Sequence, residues 1–191
     1  MKILGIDPGY DRVGISIVEK NIKQKETLLY SECLQTSSKD PFYTRLGKVG
    51  NKIADIIEKH CPDAMAIESL FITKNQKTAM RVAEAKGVIS YEAIKNNIPI
   101  FEYTPLQVKI AVTGHGTSDK SQIIKMLPLL VEMSRKTDKK DNKKDTEKDR
   151  KKNNSVDNRK NHEKIQDDEY DAIAVALTCI AHQGKSFPQV G

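Results

Sequence analysis

The 191-residue chain has no tryptophan, only three cysteines, 5% aromatic residues and no long apolar run. Each shortage excludes something. Cys33, Cys61 and Cys179 are odd in number, far apart and paired with histidine in no zinc-like register, which excludes a disulfide framework and a structural zinc. Reduced core or surface thiols are the expectation. The longest apolar stretch, residues 172–181, is broken by Thr178 and falls far short of the roughly 20 residues that span a bilayer. No transmembrane helix is expected. Asp7 stands where the apolar region of a secretory signal should lengthen, and no small-residue cleavage site follows, so a cytoplasmic protein is expected.

The net charge of +6 suggests nucleic acid until its location is considered. Of the 32 basic and 26 acidic residues, 13 and 7 fall between positions 135 and 164, leaving 19 of each elsewhere. The rest of the chain is neutral, and any nucleic-acid face on it must come from uneven placement of charge. Segment 135–164 has one apolar residue, Val156, and cannot bury enough surface to offset the entropy of ordering. It reads as a disordered insertion, and 184–191 reads as a flexible C-terminal tail. Residues 1–134 with 165–183 then make one domain, large enough to need no disulfide or metal for folding.

Within that domain strand and helix patterns alternate. Residues 2–7 (KILGID) form a short apolar run ending on an acid, and 14–19 (GISIVE) alternate; Pro8, Gly9 and Asp11 mark a tight hairpin connection between them. Residues 28–35 offer a third strand. Phe42, Leu46, Val49, Ile53, Ile56 and Ile57 recur at steps of four and three, the mark of an amphipathic helix. Strands follow at 64–68 and 98–103, with a helix over 78–95 between them. Pro105 opens a short helix, 118–132 makes another, and the Ala-rich segment 168–182 closes the domain against a sheet. An antiparallel three-strand start followed by strand-helix alternation predicts an α/β fold, a mixed sheet covered by helices.

Asp7 directly follows Ile3, Leu4 and Ile6, so its carboxylate emerges at the end of a buried strand, where unpaired charge is costly. Glu68 repeats that arrangement after residues 64–67. Asp168 and Asp171, spaced i,i+3, share one face at the start of an apolar helix. Structural roles compete for each: an Asp before Pro-Gly is a common turn residue, and Asp167 or Asp168 would serve as an N-cap. The combination weighs the other way, because four carboxylates from three separated segments repel one another unless cations hold them together. Oxygen-only ligands without His or Cys at matching spacing point to Mg²⁺ or Mn²⁺. A pair of such ions can activate water and stabilise the leaving 3′ oxygen in phosphodiester hydrolysis.

These residues resemble the RuvC family of Holliday junction resolvases, in the RNase H-like nuclease superfamily. The resemblance covers residues 1–134 and 165–183, carried by ILGIDPGYDRVGISIVE, AIESLFITKN, AKGV, IPIFEYTPLQVKIAVTGHGT, SDKSQI and DDEYDAIAVAL. The charged insertion has no counterpart. The resemblance implies an RNase H-like mixed five-stranded sheet with helices on both faces. It places metal-binding acids at Asp7, Glu68, Asp168 and Asp171, and basic residues near the cleaved phosphate at Lys109 and Lys120. It also implies that Phe71 stacks on bases opened at the junction centre, with Lys74 and Asn75 holding backbone. Phe71 follows Glu68 by three residues and precedes the polar stretch 73–77, consistent with exposure beside the site. His115, between Gly114 and Gly116, is a loop residue within reach of DNA in this reading.

The same resemblance implies a homodimeric endonuclease with two Mg²⁺ per subunit, for which Mn²⁺ can substitute. It would nick two opposed strands of a four-way junction, leaving 5′-phosphate and 3′-hydroxyl ends, and work with the RuvA and RuvB branch-migration proteins. The helix face around Ala79, Val82, Ala83 and Lys86 is the candidate dimer contact. Three other readings stand beside it. LGIDPG also resembles the phosphate loop of actin-like ATPases and sugar kinases, but those need a second such domain and a second glycine-rich turn. A junction-binding module without catalysis predicts a lost acid or lysine. A sister nuclease acting on ribosomal RNA precursors would prefer RNA.

Overall fold

The computed structural model describes residues 1–20, 25–70, 76–133 and 165–183. The expectations for Phe71, Lys74, Asn75, the insertion at 135–164 and the tail at 184–191 lie outside those residues. In chain order the elements are β1 (Lys2–Asp7), β2 (Arg12–Glu19), β3 (Glu26–Gln35), α1 (Phe42–His60), β4 (Ala64–Glu68), α2 (Gln76–Lys95), β5 (Ile100–Tyr103), α3 (Pro105–Thr113), α4 (Lys120–Leu130), β6 (Val131–Glu132) and α5 (Asp167–Gln183). The sheet order is β5-β4-β1-β2-β3-β6. β1, β2 and β3 form the expected antiparallel meander, and β4 and β5 add in parallel on the other side of β1.

Period-2 alternation divides the sheet's side chains between two cores. Leu4, Ile6, Val13, Ile15, Ile17, Met65 and Ile67 pack under α1 and α2 with Val49, Ile53, Ile56 and Ile89. Ile3, Val18, Leu28, Ala64 and Ala66 lie on the opposite face with residues of α3, α4 and α5. Helices therefore cover both faces. α1 buries Leu46, Val49, Ile53, Ile56 and Ile57, the stripe read from the sequence, and stops at Cys61, which adopts the left-handed conformation at φ 47°. α3 and α4 begin with reciprocal capping boxes, Thr104 with Gln107 and Asp119 with Gln122.

The strand count and the outward face of α2 differ from expectation. The sheet has six strands rather than five, because the chain leaves α4 at Leu130 and Val131 and Glu132 pair in parallel with Glu26 and Thr27. Val131 is fully buried, so its apolar character fits a strand as well as the last turn of a helix, and periodicity could not separate the two. α2 is rotated relative to the face expected to be free. Ala85, Ile89 and Ala93 face inward, Ala79 and Val82 are half-buried beside them, and Lys86 pairs with Glu102 of β5 at 2.6 Å. Of the four residues named, only Ala83 lies on the outward stripe of Met80, Gly87, Tyr91 and Ile94.

α5 lies closer to the sheet than ordinary side chains would permit. A Cβ on Gly5 would stand 2.2 Å from the Ala172 carbonyl oxygen and 2.8 Å from Ala176 Cβ; one on Gly14 would stand 2.0 Å from the Asp168 carbonyl oxygen. Two glycines on adjacent strands thus form the seat of the helix. Its nearly all-apolar sequence follows, since Ala172 to Ile180 are all buried.

Candidate active site

β1 and β4 run parallel with Ile6 opposite Ile67, so the next residues, Asp7 and Glu68, end their strands side by side at one edge of the sheet. α5 is seated on β1 and β2 with its N-terminus at that same edge, bringing Asp168 and Asp171 to the pair. All four carboxylates interact. Burial first, then the charges of Glu68, Asp171 and Asp168, raise the Asp7 pKa to about 8. Glu68 is also raised, by burial and Asp171, while its hydrogen bond from Asp7 pulls it down. One proton shared between them, resident on Asp7, describes the pair.

Protein cations compensate the other two acids. Lys120, the first residue of α4, places Nζ 2.8 Å from Asp171 Oδ2 and 3.6 Å from Asp167 Oδ2. The Arg12 guanidinium forms an ion pair with Asp168. Burial raises the Asp171 pKa, against which Lys120 acts. Held in this way, no three of the carboxylates close around a common point as ligands among the described residues. The donor set nonetheless fits a hard divalent ion: four carboxylates, one too deeply buried to ionise readily, compensated by one proton and two movable cations.

Beside the acids is a cavity of about 240 Å³ lined by Glu68, Lys109, Lys120 and Asp171 over an apolar floor of Val108, Ile123 and Val175. Both expected lysines therefore reach the site, from two different helices. His115 does not line it. Its backbone closes the turn after α3, accepting from Ser118 N at 3.4 Å and from Thr113 Oγ1 at 3.0 Å.

Several residues here escaped the sequence reading. Neither Asp167 nor Asp168 is the cap of α5. The residue before the helix is Gln166, whose carbonyl accepts from Glu169 N at 3.1 Å, while Glu169 Oε1 accepts from Gln166 N at 2.9 Å. Glu169 is only 4% exposed and also accepts from Ser31 Oγ at 2.6 Å, pinning the start of α5 to β3. The spacing Gln166-x-x-Glu169 carried that signal. Glu169→Ala is expected to lose about 2 kcal/mol of stability in urea unfolding, and Glu169→Gln less, because the amide oxygen still accepts from Gln166 N while its NH2 group can donate to Ser31 Oγ in place of the bond lost there. Equal losses in the two variants would remove hydrogen bonding as the cause.

The model of the family described as crossover junction endodeoxyribonuclease RuvC matches residues 3–145. This chain belongs to the RuvC family. Crossover junction endodeoxyribonucleases RuvC of Petrotoga mobilis and Caldicellulosiruptor saccharolyticus are 43% and 44% identical to it over 135 residues, which cover 82% and 81% of those proteins. The solved structure of Thermus thermophilus RuvC in complex with a Holliday junction substrate superposes with a TM-score of 0.74 at 26% identity, covering 95% of this chain and 94% of that one. The RuvC family model match ends before α5, so its span does not include Asp168 and Asp171. The sheet and its helices are the RNase H-like fold of the family. RuvC nucleases are metal-dependent.

Proposed function

We propose that this chain is a Holliday junction resolvase that introduces paired nicks in four-way DNA junctions during recombination and repair. The observation that carries this is the meeting of Asp7, Glu68, Asp168 and Asp171 at one sheet edge, with Lys109 and Lys120 beside them. The four acids would hold two Mg²⁺, or Mn²⁺ in their place. Bound there, such ions activate water and stabilise charge on the leaving 3′ oxygen. The chain's own part is to position and neutralise. Lys109 and Lys120 face the same cavity as Glu68 and Asp171, where a strand's phosphate would otherwise meet only negative charge. Attack by water at phosphorus with departure of the 3′ oxygen leaves a 5′-phosphate and a 3′-hydroxyl. Residues 1–134 and 165–183 form this nuclease domain in our reading, with 135–164 as an insertion.

Cleavage of a labelled synthetic four-way junction, compared with linear duplex, single-stranded DNA and RNA, with and without Mg²⁺, tests the reading. Symmetric nicks in the junction alone, only with metal, are expected. Junction binding without cutting in Mg²⁺ would identify a non-catalytic module, and preference for RNA would identify the sister nuclease.

Phe71 would stack on unpaired bases at the junction centre, with Lys74, Asn75 and His115 touching DNA. Stacking is worth about 1–3 kcal/mol per base. Phe71→Ala should therefore slow junction cutting roughly tenfold or more while leaving plain duplex binding nearly unchanged; equal losses on both would refute the stacking role. Two sites per assembly match the two-fold symmetry of a junction, so the protein is proposed to be a homodimer acting with RuvA and RuvB in the cytoplasm. Support comes from α2, where Met80, Gly87 and Ile94 recur every seven residues beside Tyr91, and Met80, Tyr91 and Ile94 are 66%, 61% and 65% exposed. Tyr91→Glu should shift the protein from dimer to monomer in sedimentation with little change in Tm. A dimer of unchanged affinity would move the interface elsewhere.

A further inference from the structure

Asp168 has unexpected company for a proposed metal ligand. The Arg12 guanidinium forms an ion pair with its Oδ2, and Cys33 Sγ donates to the same oxygen at 3.4 Å. Arg12 also donates to Gln166 Oε1 at 3.2 Å, an oxygen that accepts from Gln35 Nε2 at 2.8 Å. Arg12 opens β2, two residues before the Gly14 on which the Asp168 backbone rests. Arg12, Lys120, Gln166, Asp167 and Asp168 line a second cleft of about 570 Å³, adjoining the first through Lys120.

We propose that the Arg12 guanidinium is a built-in counter-cation of Asp168, which a divalent ion must displace before that carboxylate can bind it, so that Arg12 sets the metal affinity of the site. The inference rests on the reading of Asp168 as a metal ligand. Without metal, two side-chain cations sit on the acids, Lys120 on Asp171 and Arg12 on Asp168. A guanidinium stays charged at any ordinary pH and can yield the carboxylate only by moving away. Arg12 is free to do so. Its side chain is 48% exposed, and Gln166 Oε1 remains as a hydrogen-bond partner beside the cleft once the carboxylate is taken. Arg12 is a positioning residue in this account, orienting Asp168 in the metal-free protein and touching no reacting atom.

The test is Mn²⁺ titration of the full chain without DNA, followed by loss of the free-ion electron paramagnetic resonance signal. Arg12→Gln removes the competitor and should bind Mn²⁺ about two- to fivefold tighter, the small factor expected for a half-exposed ion pair, with a Tm in EDTA lowered by no more than a few degrees because that ion pair exists in the metal-free protein. Arg12→Lys, which keeps the charge, should stay near wild type. Unchanged or weaker binding in Arg12→Gln would overturn the proposal. Asp168→Asn separates this from the underlying reading: it should weaken Mn²⁺ binding and abolish the gain from Arg12→Gln. If Asp168→Asn weakens binding and Arg12→Gln gains nothing, only the counter-cation fails; if Asp168→Asn binds Mn²⁺ like wild type, the ligand assignment fails with it.

Discussion

Asp7→Asn is expected to abolish junction cleavage, by roughly a thousandfold or more, while leaving junction binding in place and making the metal-free protein more stable. The three effects share one cause. Asp7 is more enclosed than Glu68 or Asp171 and is flanked by Glu68, Asp171 and Asp168, and an amide there cannot replace an anionic ligand. Losing several kcal/mol of charge stabilisation at the reacting phosphate accounts for a factor of about 10³. The basic residues proposed to hold DNA are untouched.

Stability moves the other way because the metal-free site is a concentration of like charge. The folded protein keeps the Asp7 proton up to about pH 8, whereas an unfolded chain releases it near 3.8. The native state therefore binds more protons at this group over that window, so the contribution of Asp7 to stability is most favourable below pH 4 and declines as pH rises toward 8. Asn does not titrate. In EDTA the Tm of Asp7→Asn should exceed that of wild type by several degrees at pH 8, with the gap narrowing at pH 5. Mg²⁺ should raise the Tm of wild type and have a much smaller effect on the variant. Cleavage within tenfold of wild type would exclude Asp7 from the site, and a variant less stable than wild type at pH 8 would contradict the crowding of charge.

The second large effect is expected at Gly14, a residue that touches no substrate. A Cβ there would stand 2.0 Å from the Asp168 carbonyl oxygen, 2.7 Å from its carbonyl carbon and 3.1 Å from Asp7 Cβ. Backbone cannot rotate aside as a side chain can, so α5 must lift from β2 or β2 must deform. Overpacking of this kind destabilises by about 3 kcal/mol. It also displaces Asp168 relative to Asp7, so Gly14→Ala should lose most of its metal-dependent cutting even at temperatures where it remains folded. Gly47→Ala is the control. That glycine lies in exposed α1 with nothing within 4 Å of its added methyl, and the change should stabilise by about 0.5–1 kcal/mol. Comparable destabilisation at both positions, measured by urea unfolding, would mean that backbone freedom rather than the seat of α5 controls Gly14.

Much of the site was legible because its residues mark element ends. An acid terminating an apolar run, as at Asp7 and Glu68, is placed by the pleat of its own strand, and an acid pair at i,i+3 before an apolar helix is placed by helical geometry. Lys109 and Lys120 were legible only through family resemblance, since a lone lysine carries no periodic signal. Glu169 was hidden for a related reason. Among consecutive acids in DDE, nothing in composition says that one faces Ser31 and is buried while its neighbours pair with Lys120 and Arg12. The sixth strand was hidden because Val131 satisfies a helical and an extended pattern equally well. The free face of α2 depends on which side packs against the sheet and α1, and a moderately apolar helix leaves that rotation open.

The amino-acid order alone determined the α/β class, the antiparallel opening of the sheet, the long amphipathic helix at Phe42–His60 and the four acids with the oxygen-ligand chemistry they imply. Each of these follows from interactions among residues close in sequence, where the period of apolar positions dictates local structure. Only the tertiary structure decided that Arg12 pairs with Asp168, that Lys109 and Lys120 share a cavity with Glu68 and Asp171, and that Gly5 and Gly14 seat the last helix. Those arrangements join segments more than a hundred residues apart in some cases, and they are fixed by how closely a helix can approach a sheet, a distance no local pattern encodes.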